Sequence, residues 1–282
     1  MPGTLILCAG PIGNLSDAPP RLAEALRSAD MVYAEDTRRA RILLDHLGVS
    51  RPLRSYFVGN EADRAIEVGE RLAAGDTVAL LTDAGTPSLA DPGLSAVRAA
   101  VGVGATVTGI PGASAVTMAA AVSGLPADRF VFEGFLPRRG EKRSERIRDL
   151  AAEPRTMIIF CAPGRLVGDL GDLEAALGGD RPCSVCRELT KMHEEVWRGT
   201  LSGATSHWSE NPARGEVTLV VGGAPAARPD LEEALQRVDA LMTGGAGPSE
   251  ACRQVSGETG IRRRSLYEAT LLRRRDDGQP ES

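Results

Sequence analysis

Over its first 120 residues the chain alternates short apolar runs with stretches whose apolar residues recur three and four apart. The runs at 5–9, 31–34, 77–81 and 105–108 are rich in Val, Ile and Leu and bounded by turn residues, the pattern of buried strands. Helical spacing occupies 20–28, 38–47, 61–74 and 94–101 between them. Such alternation leaves few topologies open, because parallel strands need crossover helices and those helices cover both faces of the sheet. The expectation is an α/β fold, with a parallel sheet in a domain spanning residues 1–118.

A second set follows, with strands predicted at 130–132, 156–161, 183–188, 195–198 and 217–221 and helices at 144–152 and 166–177. The runs at 183–189 and 194–199 are too close for a crossover helix, so they predict an antiparallel hairpin and a mixed sheet. Residues 119–224 therefore read as a second α/β domain. The stretch 222–229 has linker composition. Beyond it, helices are predicted at 230–242, from 248 onward and at 264–272, with a turn at 259–261. Residues 225–282 thus read as a linker and a small helical extension of helix-turn-helix type.

Composition narrows the partners. A net charge of −5 argues against a protein that coats nucleic acid, and an aromatic content of 4% argues against a base-stacking platform. No run approaches the roughly 20 apolar residues that cross a bilayer, and the first residues lack the basic region and apolar core of a signal peptide. Five scattered cysteines fit a reduced, cytoplasmic chain. Of 33 basic residues only Lys142 and Lys191 are lysines, a coding bias against which a retained lysine stands out. The net charge also averages over two basic stretches: 137–155 holds seven bases against four acids, and 251–275 holds seven arginines against two acids. Each is a solvated helix face on its own; together they would make a phosphate footprint.

Three loops follow predicted strands of the first domain. Residues 8–15 carry Gly10, Pro11 and Gly13 but match neither GxGxxG nor a Walker loop. Residues 82–93 form a stiff polar loop with two aspartates, two prolines and two glycines at the carboxyl edge of the sheet, where ligands of open α/β sheets bind. Residues 110–115 are small and open an Ala-rich helix. At the end of the second strand, Glu35 and Asp36 precede Arg38 and Arg39, and Asp36 is as well suited to cap the next helix as to do chemistry. Cys183 and Cys186 form a CxxC on an apparent strand with only His193 near, so no metal site is expected.

These motifs, in order GPIGNL (10–15), AEDTR (34–38), DAGTPSLADPG (83–93), PGAS (111–114), DRFVFEGFLP (128–137), EPRTMIIF (153–160), RELTK (187–191) and GEVTLVV (215–221), closely resemble a ribosomal RNA small-subunit methyltransferase branch of the tetrapyrrole methylase superfamily. The resemblance covers about residues 4–224, and the tail resembles the helical extension of that branch. It implies two αβα domains with S-adenosylmethionine in the cleft between them, a homodimer, and methylation of a cytidine ribose 2′-hydroxyl in the decoding region of 16S rRNA. It implies cofactor contacts at Pro11 and Gly13, at Gly85, Thr86, Pro87 and Asp91, at Ser114 and Ala115, and at Phe160, Cys161 and Ala162. The chain departs from the branch at Ala9-Gly10, at 57–61 and at 161–165.

A ribose hydroxyl is a weak nucleophile and gains from a carboxylate or an unprotonated lysine within hydrogen-bond reach. Glu35, Asp36, Glu188 and Lys191 are the candidates, with Lys191 favoured because lysine, unlike arginine, loses its proton when buried. Replacing Lys191 or Asp36 by Ala is expected to lower methylation more than tenfold while cofactor binding survives. Arg38, Arg138, Arg139, Arg262, Arg263 and Arg264 are the expected phosphate contacts. The rival readings are a tetrapyrrole C-methyltransferase on the same fold and a nucleic-acid-binding regulator.

Overall fold

The computed structural model describes residues 1–225 and 230–276. Met1–Ala224 form one compact unit and a second begins at Pro225. The linker expected at 222–229 lies, over 226–229, outside the described residues.

The apolar runs of the first half become β1 (Thr4–Cys8), β2 (Met31–Ala34), β3 (Leu53–Ser55), β4 (Thr77–Leu81) and β5 (Thr106–Ile110). They form one sheet in the order β3-β2-β4-β1-β5, parallel throughout. Crossovers α1 (Pro20–Ser28), α2 (Thr37–His46), α3 (Glu61–Ala74) and α4 (Leu94–Gly102) connect them. All four residues of β2 are buried, as a strand covered on both faces requires. Leu22, Leu26 and Leu44 pack one face of the sheet, and Tyr33, Leu72 and Leu80 the other. Each such side chain contributes about 1.5–3 kcal/mol of apolar burial. The chain leaves β1 for β2 on one side and passes from β4 to β5 on the other, so the sheet has a topological switch beside β1.

The second half folds as β6 (Phe130–Phe135), β7 (Thr156–Cys161), β8 (Pro182–Arg187), β9 (Glu195–Thr200) and β10 (Val217–Val221). Their order is β6-β7-β10-β8-β9. Only β6 and β7 run parallel; β8 and β9 make the predicted hairpin, and the sheet is mixed. The helices α6 (Glu141–Ala151), α7 (Leu166–Leu177) and α8 (Leu201–Glu210) belong to this half. Between the sheets, α5 (Ala115–Ser123) follows β5 yet packs against β7, β8 and β10. Its Val116, Ala119 and Ala120 share a core with Ile12 of the first half and Ile158, Cys186 and Val220 of the second. The division expected at residue 118 falls inside this helix.

The structure adds β3 and α8, which periodicity missed. β3 is three residues at a sheet edge, too short to show alternation. α8 is rich in Ser, Thr and Gly, poor helix formers, and holds through a Thr200 cap on the Gly203 N–H and buried Leu201, Ala204 and Trp208. β5 lies further along than predicted because Ala105 still closes the preceding turn, its N–H donating to the Ala100 carbonyl at 2.9 Å.

The second unit comprises α9 (Leu231–Thr243), α10 (Pro248–Thr259) and α11 (Arg263–Asp276). They close on a core of Leu235, Val238, Cys252, Val255 and Leu266. Gly260, at φ 72°, ends α10 in a left-handed turn that a side chain would strain. Among the described residues no helix is long and apolar enough to cross a membrane.

Candidate active site

The three loops meet at the carboxyl edge of the first sheet. The Gly10 N–H donates to the Gly85 carbonyl at 2.9 Å, and the Ala9 N–H to that of Ile110 at 3.1 Å. A Cβ at Gly112 would lie 2.9 Å from the Ala9 carbonyl oxygen, so the third loop needs glycine to approach the first. In the second loop Ser88 and Ala90 hold left-handed φ of 71° and 65° without being glycine, local strain of the kind found at ligand clamps. Glu61, the first residue of α3, reaches the N-terminus of α4, where its carboxylate accepts the Ser95 hydroxyl at 2.6 Å and the Gly93 N–H at 3.2 Å and anchors the end of this loop.

These loops, the end of β2, the end of β7 and the start of β10 enclose a cavity of about 380 Å³. Of the expected cofactor residues, Gly85, Thr86, Asp91, Ser114, Ala115, Phe160, Cys161 and Ala162 line it. Pro87 does not. Pro11 and Gly13 line a neighbouring cavity of about 230 Å³ between the first loop and α2. Phe160 stacks edge-on against Phe132 and Phe135, with centroids 4.9 and 5.6 Å away, giving the larger cavity an aromatic wall.

Four carboxylates line that cavity: Glu35, Asp83, Asp91 and Glu216. Asp83 is bound, accepting the Asp36 N–H at 2.9 Å and facing the Arg39 guanidinium at 3.3 Å. Glu216 faces the Lys191 ammonium at 3.1 Å. Asp91 pairs with no cation among the described residues and has three other carboxylates nearby. Burial first, then Glu35, Asp83 and Glu216, push it up to about 7. Glu35 is also raised, by burial and then by the Asp83 charge.

Of the four expected catalytic groups only Glu35 reaches this cavity. Asp36 caps α2, accepting the Arg38 N–H at 2.8 Å, and the Arg38 side chain holds its carboxyl well below the usual range. Glu188, at a left-handed φ of 52°, accepts the Lys191 ammonium at 2.7 Å and the Glu216 N–H at 2.8 Å. Lys191, expected as an unprotonated base, sits here in an ion pair. Burial pulls its pKa down, but the bonds to Glu188 and Glu216 outweigh this and hold the ammonium above its ordinary value. Its aliphatic stem lies over Gly13, where a Cβ would meet the Lys191 Cγ at 2.3 Å.

The expected phosphate contacts fall in both units. Arg38 pairs with Asp36 at 2.7 Å, and Arg138 and Arg139 stand exposed after β6. In the second unit Arg262 is exposed, Arg263 donates to the Ser249 hydroxyl at 2.5 Å and Arg264 to Glu268 at 2.8 Å. The first basic stretch is less free than its composition implies, since Arg143 is held between Asp169 and Asp172, Arg146 by Glu133 and Arg155 by Glu153. Sequence reasoning missed Arg39, Asp83 and Glu216 as site residues; the one signal for Glu216 was Gly215 immediately before a buried strand.

Residues 4–205 match the family described as Tetrapyrrole (Corrin/Porphyrin) Methylases, which sets the class. Solved structures with this fold include a uroporphyrin-III C-methyltransferase from Thermus thermophilus complexed with S-adenosylhomocysteine (19% identity, TM-score 0.53, 78% of this chain and 97% of that one). Diphthine synthase is another (17% identity, TM-score 0.61, 78% and 89%). Relatives over nearly the whole chain are both named ribosomal RNA small subunit methyltransferase I. That of Synechocystis is 44% identical over 272 residues, covering 95% of this chain and 98% of its own, and that of Mycobacterium tuberculosis 44% over 281 residues, covering 99% and 98%. The chain belongs to the ribosomal RNA small subunit methyltransferase I family of the tetrapyrrole methylases.

The cavity fits S-adenosylmethionine. Its volume lies in the range of small-molecule sites, its aromatic and small apolar lining suits an adenine, and its excess of carboxylates over cations suits a cation.

Proposed function

We propose that this chain is an S-adenosylmethionine-dependent methyltransferase of small-subunit ribosomal RNA, acting as a homodimer on the ribose 2′-hydroxyl of a cytidine in the decoding region. The observation that carries the reading is coverage. The relatives named for ribosomal RNA match 95–99% of the chain, helical extension included, whereas the tetrapyrrole and diphthine enzymes match 78%.

The cofactor supplies a sulfonium-bound methyl group, and the protein's own work is to position and to move one proton. Glu35 is the group we assign to accept the proton of the substrate hydroxyl, because it lines the cavity and burial raises its pKa, which makes it a stronger base than an ordinary carboxylate. Asp91 offers the sulfonium a carboxylate that no protein cation neutralises. Asp83 and Glu216 hold the walls through Arg39 and Lys191.

Full-length protein incubated with labelled S-adenosylmethionine and 30S subunits, naked 16S rRNA or uroporphyrinogen tests the reading. Label recovered as 2′-O-methylcytidine from 30S subunits supports it. Label only in porphyrinogen, or in a base-methylated nucleoside, overturns it.

A further inference from the structure

We propose that the second cavity, between the first loop and α2, receives one nucleotide of the RNA and presents its ribose to the cofactor cavity; this rests on the RNA-methyltransferase reading above. The two cavities share a wall, because Arg39 and Asp83 line both. A second bridge joins them: the Lys191 stem covers Gly13, which lines the second cavity, and its ammonium faces Glu216, which lines the first. Reactants in the two cavities are thus adjacent, as an in-line displacement demands.

Charge separates the two spaces. The larger cavity has four carboxylates and repels a polyanion. The second has Arg39 and Asp83 on its wall, with exposed Arg38 and Arg41 on the same helix, where phosphates flanking a bound nucleotide would run. At about 230 Å³ it is smaller than most drug-sized pockets, room for one unstacked nucleotide and not a run of bases. Leu15 and Ile42, 37% and 61% exposed, border it with the apolar surface that an unstacked base packs against. Arg39 spends one bond on Asp83 and keeps donors for the nucleotide.

Ile42→Trp and Leu15→Trp fill this space from exposed positions. Full-length variants are assayed on 30S subunits lacking the modification, with S-adenosylhomocysteine affinity measured by calorimetry and folding checked by thermal melting. The expected result is a tenfold or greater fall in kcat/KM for 30S subunits with cofactor-product affinity within twofold of the parent. Arg41→Glu, which leaves the cavity open, is expected to raise KM for 30S subunits several-fold at unchanged kcat, and serves if a Trp variant misfolds. Parental kcat/KM in the folded variants overturns the proposal, and so does a loss of S-adenosylhomocysteine affinity in step with activity. If the unmodified chain transfers no label to any RNA, the RNA-methyltransferase reading itself falls first.

Discussion

The cofactor cavity has two kinds of acidic wall. Asp83 and Glu216 each face a cation, Arg39 at 3.3 Å and Lys191 at 3.1 Å. Glu35 and Asp91 make no ion pair among the described residues, and both are raised by partial burial and neighbouring acids, Arg39 offsetting only part of this at Glu35. The first pair has its charge met by a protein cation at close range. The second pair is half-buried with charge that the protein meets poorly, the state expected of groups that await a ligand.

Substitutions can break or sharpen this contrast. Glu35→Gln keeps shape and removes the proton acceptor; transfer to 30S subunits is expected to fall about a hundredfold or more, with S-adenosylhomocysteine affinity nearly unchanged. Loss of less than tenfold would remove Glu35 from the chemistry.

The next effect is at Asp91, where the sign is definite. The group is neutral below about 7 and charged above it, and a sulfonium favours the charged form. Preference for S-adenosylmethionine over its neutral thioether product should therefore rise several-fold between about pH 6 and 8, and Asp91→Asn should flatten the ratio. In the ligand-free protein the same raised group favours folding while protonated, so its contribution is lost as pH rises from the ordinary carboxylate range through about 7. Calorimetry across that interval checks both statements.

On the scaffold side, Lys191→Met should lower kcat about tenfold or less and stability by about 1–2 kcal/mol, since Glu188 and Glu216 then face each other without a cation. A loss as deep as that of Glu35→Gln would mean Lys191 touches the reacting atoms. Smallest of all, Asp36→Ala should lower the melting temperature by uncapping α2 while transfer stays within about threefold, in place of the tenfold loss that sequence alone suggested.

The parallel sheet, its crossovers and its loop edge were legible because apolar period and turn residues both report local backbone state. α1, α3 and β4 begin and end where periodicity put them. Charge was read less well. Both acids 35–36 stood as catalytic candidates, Asp36 as well suited to capping, and only the structure shows that Glu35 turns into the cavity while Asp36 caps the helix. Lys191 stood out by rarity, but its two acidic partners come from three residues before it and from the start of β10, and only the second sheet's folding brings the latter near. Glu216 had only Gly215 beside it as a signal for the same reason: its place in the site depends on strand order, which no local pattern encodes.

That strand order also governs when the protein can become whole. The last-made strand of the second sheet, β10, sits in its middle, between β7 and β8. Until residue 221 has left the ribosome, β7 and β8 each present an unpaired apolar inner edge, a template for intermolecular pairing. Chains interrupted before Val217 should aggregate, and refolding should be slow, because the closing contacts are distant in sequence. The arriving strand also delivers Glu216, Val217 and Thr218 to the cavity wall. The cavity is therefore incomplete in any chain that stops before Val217.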